Sequence, residues 1–198
     1  MIPEEILNRY GAKVIQLASG ELLFHQGSKA LYYFQVLSGE VKMAHYNADG
    51  QEFIQGIFSD GQSFGEPALF GEFPYPCGVV ATKKTTLFKL PADNFFKLLE
   101  ENFEIHKKFN KELSKRLRYK GIILNEISSY PPSHRIQTVL RYIRNRYGKE
   151  GDQFEVPFTR QQIADMTGLR VETVIKTIKK MAADQILKIE NHKIVMDQ

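Results

Sequence analysis

The stretch T-R-Q-Q-I-A-D-M-T-G-L-R-V-E-T-V-I-K-T-I-K-K-M, Thr159 to Met181, reads as two short helices broken at Gly168. Thr159 can cap the first helix while Gln162, three residues on, reaches back to the cap's own amide, which makes a capping box. Ile163 and Ala164 give that helix a small apolar face. Gly168 stands where the chain must fold sharply, and a residue without Cβ tolerates the left-handed dihedrals such a turn needs. Along the second helix Val174, Ile178 and Met181 recur at steps of four and three, one buried stripe, and this spacing leaves Glu172, Lys176 and Lys179 on the opposite side. A face of that kind suits a DNA major groove. Glu accepts from the cytosine amino group, Lys donates to guanine O6 and N7, and Val171 on the flank can touch a thymine methyl. Periodicity alone also fits an ordinary helical hairpin with solvated charges, and the C-terminal residues weigh against that. Gln185 to Met196 reads as two short apolar strands joined across Glu190 to Lys193, with Asn191 suited to the turn. A helix-turn-helix continued directly by a small hairpin is a winged helix.

The 198 residues suffice for two domains, and 42% hydrophobic with 25% charged is ordinary globular composition. The net charge of +4 is unevenly placed: residues 1–130 hold 15 basic against 15 acidic side chains, residues 131–198 hold 12 against 8. The excess therefore travels with the helix-turn-helix, which favours a polyanionic partner there. One cysteine, Cys77, excludes an internal disulfide and a cysteine-ligated cluster within the chain, and is expected to be a small buried residue. Met1 to Glu5 shows no basic, apolar leader, and no run approaches the ~18 apolar residues of a membrane span, so no membrane partner and a cytoplasmic location are expected.

From Lys13 to Leu90 the chain is a series of short strands punctuated by glycine, such as Leu22–Phe24, Tyr32–Leu37 and Gly78–Ala81, which indicates a sandwich or roll. The words S-G-E-L-L-F-H-Q-G, F-Q-V-L-S-G-E-V-K, N-A-D-G-Q-E and D-G-Q-S-F-G-E-P-A-L occur in that order. This resembles the cyclic-nucleotide-binding β-roll of the CRP/FNR regulators, and the winged helix extends the likeness over nearly the whole chain. The implied fold is α+β: a double-stranded β-roll (jelly roll) with flanking helices over residues 1–102, a long dimerisation helix over 103–129 and a winged helix-turn-helix over 130–198. The resemblance implies double-stranded DNA, a second copy of the chain and RNA polymerase as partners.

Between roll and reader, Pro91–Asn102 reads as a helix capped near Asp93, and Phe103–Ile127 as a longer one. Its Ile105, Phe109, Leu113, Leu117 and Leu124 form a stripe expected at an intersubunit seam, the alternative being that the stripe packs only on its own roll. Gly121 weakens the interior by ~1 kcal/mol relative to Ala. Ser129-Tyr130-Pro131-Pro132 cannot continue a helix and marks the hinge. Ser133 can cap the next helix, with Ile136, Val139, Leu140 and Ile143 inward and Arg135, Arg141, Arg144 and Arg146 outward. Residues 147–152 read as loop, and Phe154–Phe158 as a short strand.

The resemblance also places an effector pocket at F-G-E-x-A-L, here Phe64-Gly65-Glu66-Pro67-Ala68-Leu69. It implies that Glu66 accepts from a ribose hydroxyl and that helix-start amides face the phosphate. The family then holds that phosphate with an Arg-Ser or Arg-Thr pair, but Tyr75 and Pro76 occupy those positions. Pro67 removes a further donor, and Lys120 with Gly121 stands where the purine would be met. Burying a phosphate without its bidentate arginine costs about 3 to 5 kcal/mol. The pocket is therefore read as degenerate: cAMP is not expected, no cofactor is assigned, and Glu66 is expected to serve structure by binding backbone amides. Lys83 and Lys84, at a strand end, are expected to be solvated. His25 and His45 lack metal-binding spacing, which argues against an enzymatic roll.

The leading expectation is a dimeric, sequence-specific transcription regulator and not an enzyme. By the resemblance Arg170, Val171, Glu172 and Lys176 approach base edges while Arg160, Thr173 and Lys179 grip phosphates. The alternative is a cyclic-nucleotide-responsive module that signals to a protein partner through a degenerate winged helix.

Overall fold

The computed structural model describes residues 2–46, 52–148 and 153–196, without the side chains of Ile127, Ser128 and Arg146. Residues 47–51 of the N-A-D-G-Q-E word, residues 149–152 of the expected loop and the side chain of Arg146 therefore lie outside it. The chain divides into two compact units, Met1–Lys115 and Arg116–Gln198.

The first unit opens with α1 (Glu4–Arg9) and continues through β1 (Lys13–Leu17), β2 (Leu22–Phe24), β3 (Tyr32–Ser38), β4 (Glu40–Tyr46), β5 (Glu52–Ser59), β6 (Ser63–Phe64), α2 (Glu66–Phe70), β7 (Gly78–Ala81) and β8 (Thr85–Pro91). The strands form two antiparallel four-stranded sheets, ordered β1-β8-β3-β6 and β2-β7-β4-β5. This is the β-roll. Leu17, Phe34, Val36, Val41, Phe64, Val79 and Leu87 fill the space between the sheets. Successive side chains on a strand point to opposite faces, so Tyr33 and Phe88 leave the other side of the first sheet and meet helices. Those helices are α1, α3 (Ala92–Glu101) and the first part of α4 (Phe103–Ser129), which contribute Leu7, Phe95, Leu98, Ile105 and Phe109. Because β3 is covered on both faces from Tyr33 to Val36, that part reads as an apolar run interrupted only by Gln35. Gln35 is satisfied: its amide donates to the Ile2 carbonyl and accepts from the Ile2 amide, both at 3.0 Å, and Tyr33 donates to it at 2.7 Å.

Asp93 does not cap α3, because the cap position falls on Pro91 and makes no side-chain hydrogen bond. Ile105 and Phe109 are buried in the unit's own core, so for them the alternative reading holds. Leu117 and Leu124 are different, at 74% and 69% exposed. The long helix also runs past Ile127 to Ser129.

The second unit contains the end of α4, α5 (Pro132–Tyr147), β9 (Phe154–Glu155), α6 (Arg160–Thr167), α7 (Val171–Ala183), β10 (Lys188–Glu190) and β11 (Lys193–Met196). Pro132 starts α5 instead of preceding it, since the amide that proline lacks has no intrahelical partner at a helix start. The cap is thus Pro131, not Ser133, and the hinge shrinks to Tyr130 and Pro131. The Tyr130 ring stacks on His134 at 4.2 Å and its carbonyl accepts from Arg135 Nε at 3.0 Å. Ile136, Val139, Leu140 and Ile143 are buried as expected and share the interior with Val156, Ile163, Val174, Ile178 and Ile194. The strand expected over Phe154–Phe158 is shorter: Phe154 and Glu155 pair with Met196 and Val195, and the Val156 amide donates to Ile194 at 2.8 Å.

Candidate nucleic-acid interface and roll interior

The capping box at Thr159 is present with both bonds: the Thr159 hydroxyl accepts from the Gln162 amide at 3.1 Å, and the Gln162 side chain accepts from the Thr159 amide at 2.8 Å. Helix α6 ends at Gly168, whose φ of 66° lies in the left-handed region. The Leu169 amide reaches back to the Ala164 carbonyl, and Thr167 binds the Ile163 carbonyl through its hydroxyl, so the turn has local partners. Helix α7 begins directly after Arg170. Val174, Ile178 and Met181 are buried, whereas Glu172, Ile175, Lys176, Lys179 and Lys180 are exposed.

Arg170 is exposed at the N-cap of α7, with Val171 half-buried beside it and Thr173 half-buried one turn along. Arg160 opens α6, where partial burial lowers its guanidinium pKa. Six of these seven residues therefore lie in the two consecutive helices of the motif, and Arg170 is the N-cap of the second. Ile175 was not anticipated. It lies one position beyond the buried stripe, and its 38% exposure adds an apolar element to the reader face.

The wing differs from its expected bounds. Gln185–Leu187 is not strand: Gln185 takes φ 60°, its amide donates to Ala182 and the Ile186 amide to Met181, a Schellman end to α7. Glutamine in place of glycine hid that signal. The hairpin itself pairs Glu190 with Lys193, and Asn191 and His192 both have positive φ, as a type I′ turn requires. The β11 strand also pairs with β9, which fixes the wing to the rest of the domain.

In the roll, Gly65 caps the five-residue α2 with φ 83°, Pro67 lies in its first turn, and Ala68 is buried. Glu66 is fully buried, and the Ser63 hydroxyl is among the donors it accepts from. Tyr75 is 4% exposed and points inward. Its ring stacks on Phe24 at 3.8 Å, its hydroxyl donates to the Tyr32 carbonyl at 3.0 Å, and a Cβ at Gly65 would lie 3.1 Å from the ring. Burial pushes its phenol up to about 12, with Glu66 adding in the same direction. Pro76 is exposed, as are Lys83, Lys84 and Lys120, while Cys77 is buried. Among the described residues no group of three or more His, Cys, Asp or Glu could hold a metal ion.

Comparison with known proteins agrees with both units. Residues 14–102 match the cyclic nucleotide-binding domain and residues 134–198 the Crp-like helix-turn-helix domain. The chain is 25% identical over 181 residues to the transcriptional activator protein anr of Pseudomonas aeruginosa, covering 90% of this chain and 74% of that one. It is 26% identical over 193 residues to the cAMP-activated global transcriptional regulator CRP of Haemophilus influenzae, covering 96% and 83%. Among solved structures, the c-di-GMP responsive global regulator CLP of Xanthomonas campestris shares the fold with a TM-score of 0.80 at 19% identity, over 99% of this chain and 100% of that one. With a cyclic nucleotide-binding-like roll, a helix-turn-helix whose polar face is open and regulators as relatives along its length, the chain belongs to the CRP/FNR family of transcription regulators, which are DNA-binding proteins and not enzymes.

Proposed function

We propose that the chain works as a homodimer that reads a pseudo-palindromic duplex, one α7 in each of two major grooves about one helical turn, ~34 Å, apart. The observation that carries this reading is the division of α7 into a buried stripe and an exposed face bearing Glu172, Lys176 and Lys179. On it Arg170, Val171, Glu172 and Lys176 meet base edges, and Arg160, Thr173 and Lys179 hold phosphates. Dimerisation through α4 is supported by Leu117 and Leu124, seven residues apart and both exposed, the repeat of a coiled-coil seam. A DNA reader of this kind works in the cytoplasm, and RNA polymerase is the protein partner its output implies.

The dimer acts without cAMP and has no resident cofactor. Supporting this, the family's phosphate-holding arginine is replaced by Tyr75, whose ring packs on Phe24 and against Gly65 inside the roll. Selection from random duplexes, with and without cAMP, tests both parts. An inverted repeat enriched equally in the two arms is expected. No enriched motif would overturn the reader assignment, and enrichment confined to the cAMP arm would overturn the effector assignment. Titration calorimetry with cAMP separates this reading from a nucleotide-responsive module that signals to a protein: heat of tight binding together with salt-insensitive DNA affinity would favour the latter.

A further inference from the structure

Behind the reader face, the winged domain has a half-open pocket of about 170 Å³, formed where α5, the end of α7 and β11 converge. Met181, Leu187 and Met196 line its apolar part, Ile186 stands at its side 51% exposed, and Gln137 and Arg141, one turn apart on α5, contribute the polar groups. An enclosed apolar cavity of about 150 Å³ holds benzene, so the volume here is that of one side chain. Methionine thioethers also adapt to varied apolar shapes.

Met181 belongs to the buried stripe of α7, on the side of the helix away from Lys176 and Lys179. Met181 therefore faces the pocket from the side of α7 opposite Lys176 and Lys179. Arg141 is exposed and makes no ion pair among the described residues. Nor is it needed at the end of α7, because the carbonyls of Lys180, Met181 and Ala182 accept from the amides of Asp184, Ile186 and Gln185. Its charge is free for a partner beside an apolar hole of side-chain size.

We propose that this pocket docks an acidic segment of another protein, taking one aromatic or branched aliphatic side chain against Met181, Leu187 and Met196 while Arg141 and Gln137 bind the flanking carboxylate. A few anchor side chains seated in pockets carry most of the energy of such contacts, and polar groups sit at the rim. The surface is separate from the DNA reader, so the two can be tested apart.

The test is selection of a library of random linear peptides on the immobilised full-length chain, and then methyl NMR of methionine-labelled protein. Enriched peptides are expected to share an apolar anchor flanked by Asp or Glu, and to shift the Met181 and Met196 methyls but not that of Met43 in the roll. Arg141→Gln is expected to weaken them by about fivefold, the upper range for an exposed charge pair, with DNA affinity unchanged. Met196→Trp, which fills the hole, should abolish the shift at Met181 while DNA binding reports that the domain is folded. Absence of enrichment, enriched peptides without acidic residues, or shifts confined to Met43 would overturn the proposal. So would Met181 and Met196 shifts that depend on protein concentration without peptide, since the occupant would then be a second copy.

Discussion

Glu172 and Lys179 share the exposed face of α7, yet removing them should have different signatures. Glu172→Ala is expected to relax base preference at one position of each half-site, by about 1 to 3 kcal/mol, in a competition between site variants. Lys179→Ala should instead lower affinity for all sequences alike and flatten the dependence of log affinity on log salt by about one. Tyr75 makes a prediction of another kind. Its phenol ordinarily titrates near 10.0 and burial pushes it up to about 12 in the folded chain. Unfolded molecules release this proton first, so the contribution is fully present below pH 10 and is lost as pH rises toward 12. Denaturant midpoints of Tyr75→Phe should fall less steeply across that window than those of the parent, though Tyr75→Phe starts lower because the bond to the Tyr32 carbonyl is gone.

Among the elements, α6 and α7 depend on devices that are local and therefore visible as residue pairs. Thr159→Ala removes the capping box and should cost about 1 kcal/mol in thermal or chemical unfolding of the winged domain. These elements were legible because the signals are short range: Thr159 with Gln162, Gly168 at a positive φ, and the steps between Val174, Ile178 and Met181 each need only neighbours on the chain. The signal is ambiguous where one residue type can serve two local structures. Ser133 looks like a cap, but Pro132 can itself begin a helix, and Gln185 ends α7 in a left-handed conformation that glycine would have announced. The stripe on α4 shows another limit. Its apolar spacing is continuous, whereas the partner changes along it: Ile105 and Phe109 meet the roll, and Leu117 and Leu124 face outward. Spacing reports that a face is apolar and does not report what covers it. Likewise, the loss of arginine at Tyr75 could be seen in sequence, but that the tyrosine ring turns inward onto Phe24 depends on packing between two sheets.

At the scale of the whole molecule, the proposed dimer makes each contact twice. Leu117→Glu with Leu124→Glu should convert it to a monomer in sedimentation velocity and remove tight binding to an inverted repeat, with each half-site still bound weakly. For the parent dimer, the salt slope on a duplex with two half-sites should be about twice that on a duplex with one, because the counterions released scale with the phosphates engaged. On the proposed reading the space between the sheets is already occupied by Tyr75, resting on Gly65. Such a regulator has no cAMP dial. At a fixed level of any other signal its output tracks the number of copies a cell makes and destroys, so synthesis and proteolysis set the timing of a response, and saturation of its sites becomes a matter of dosage.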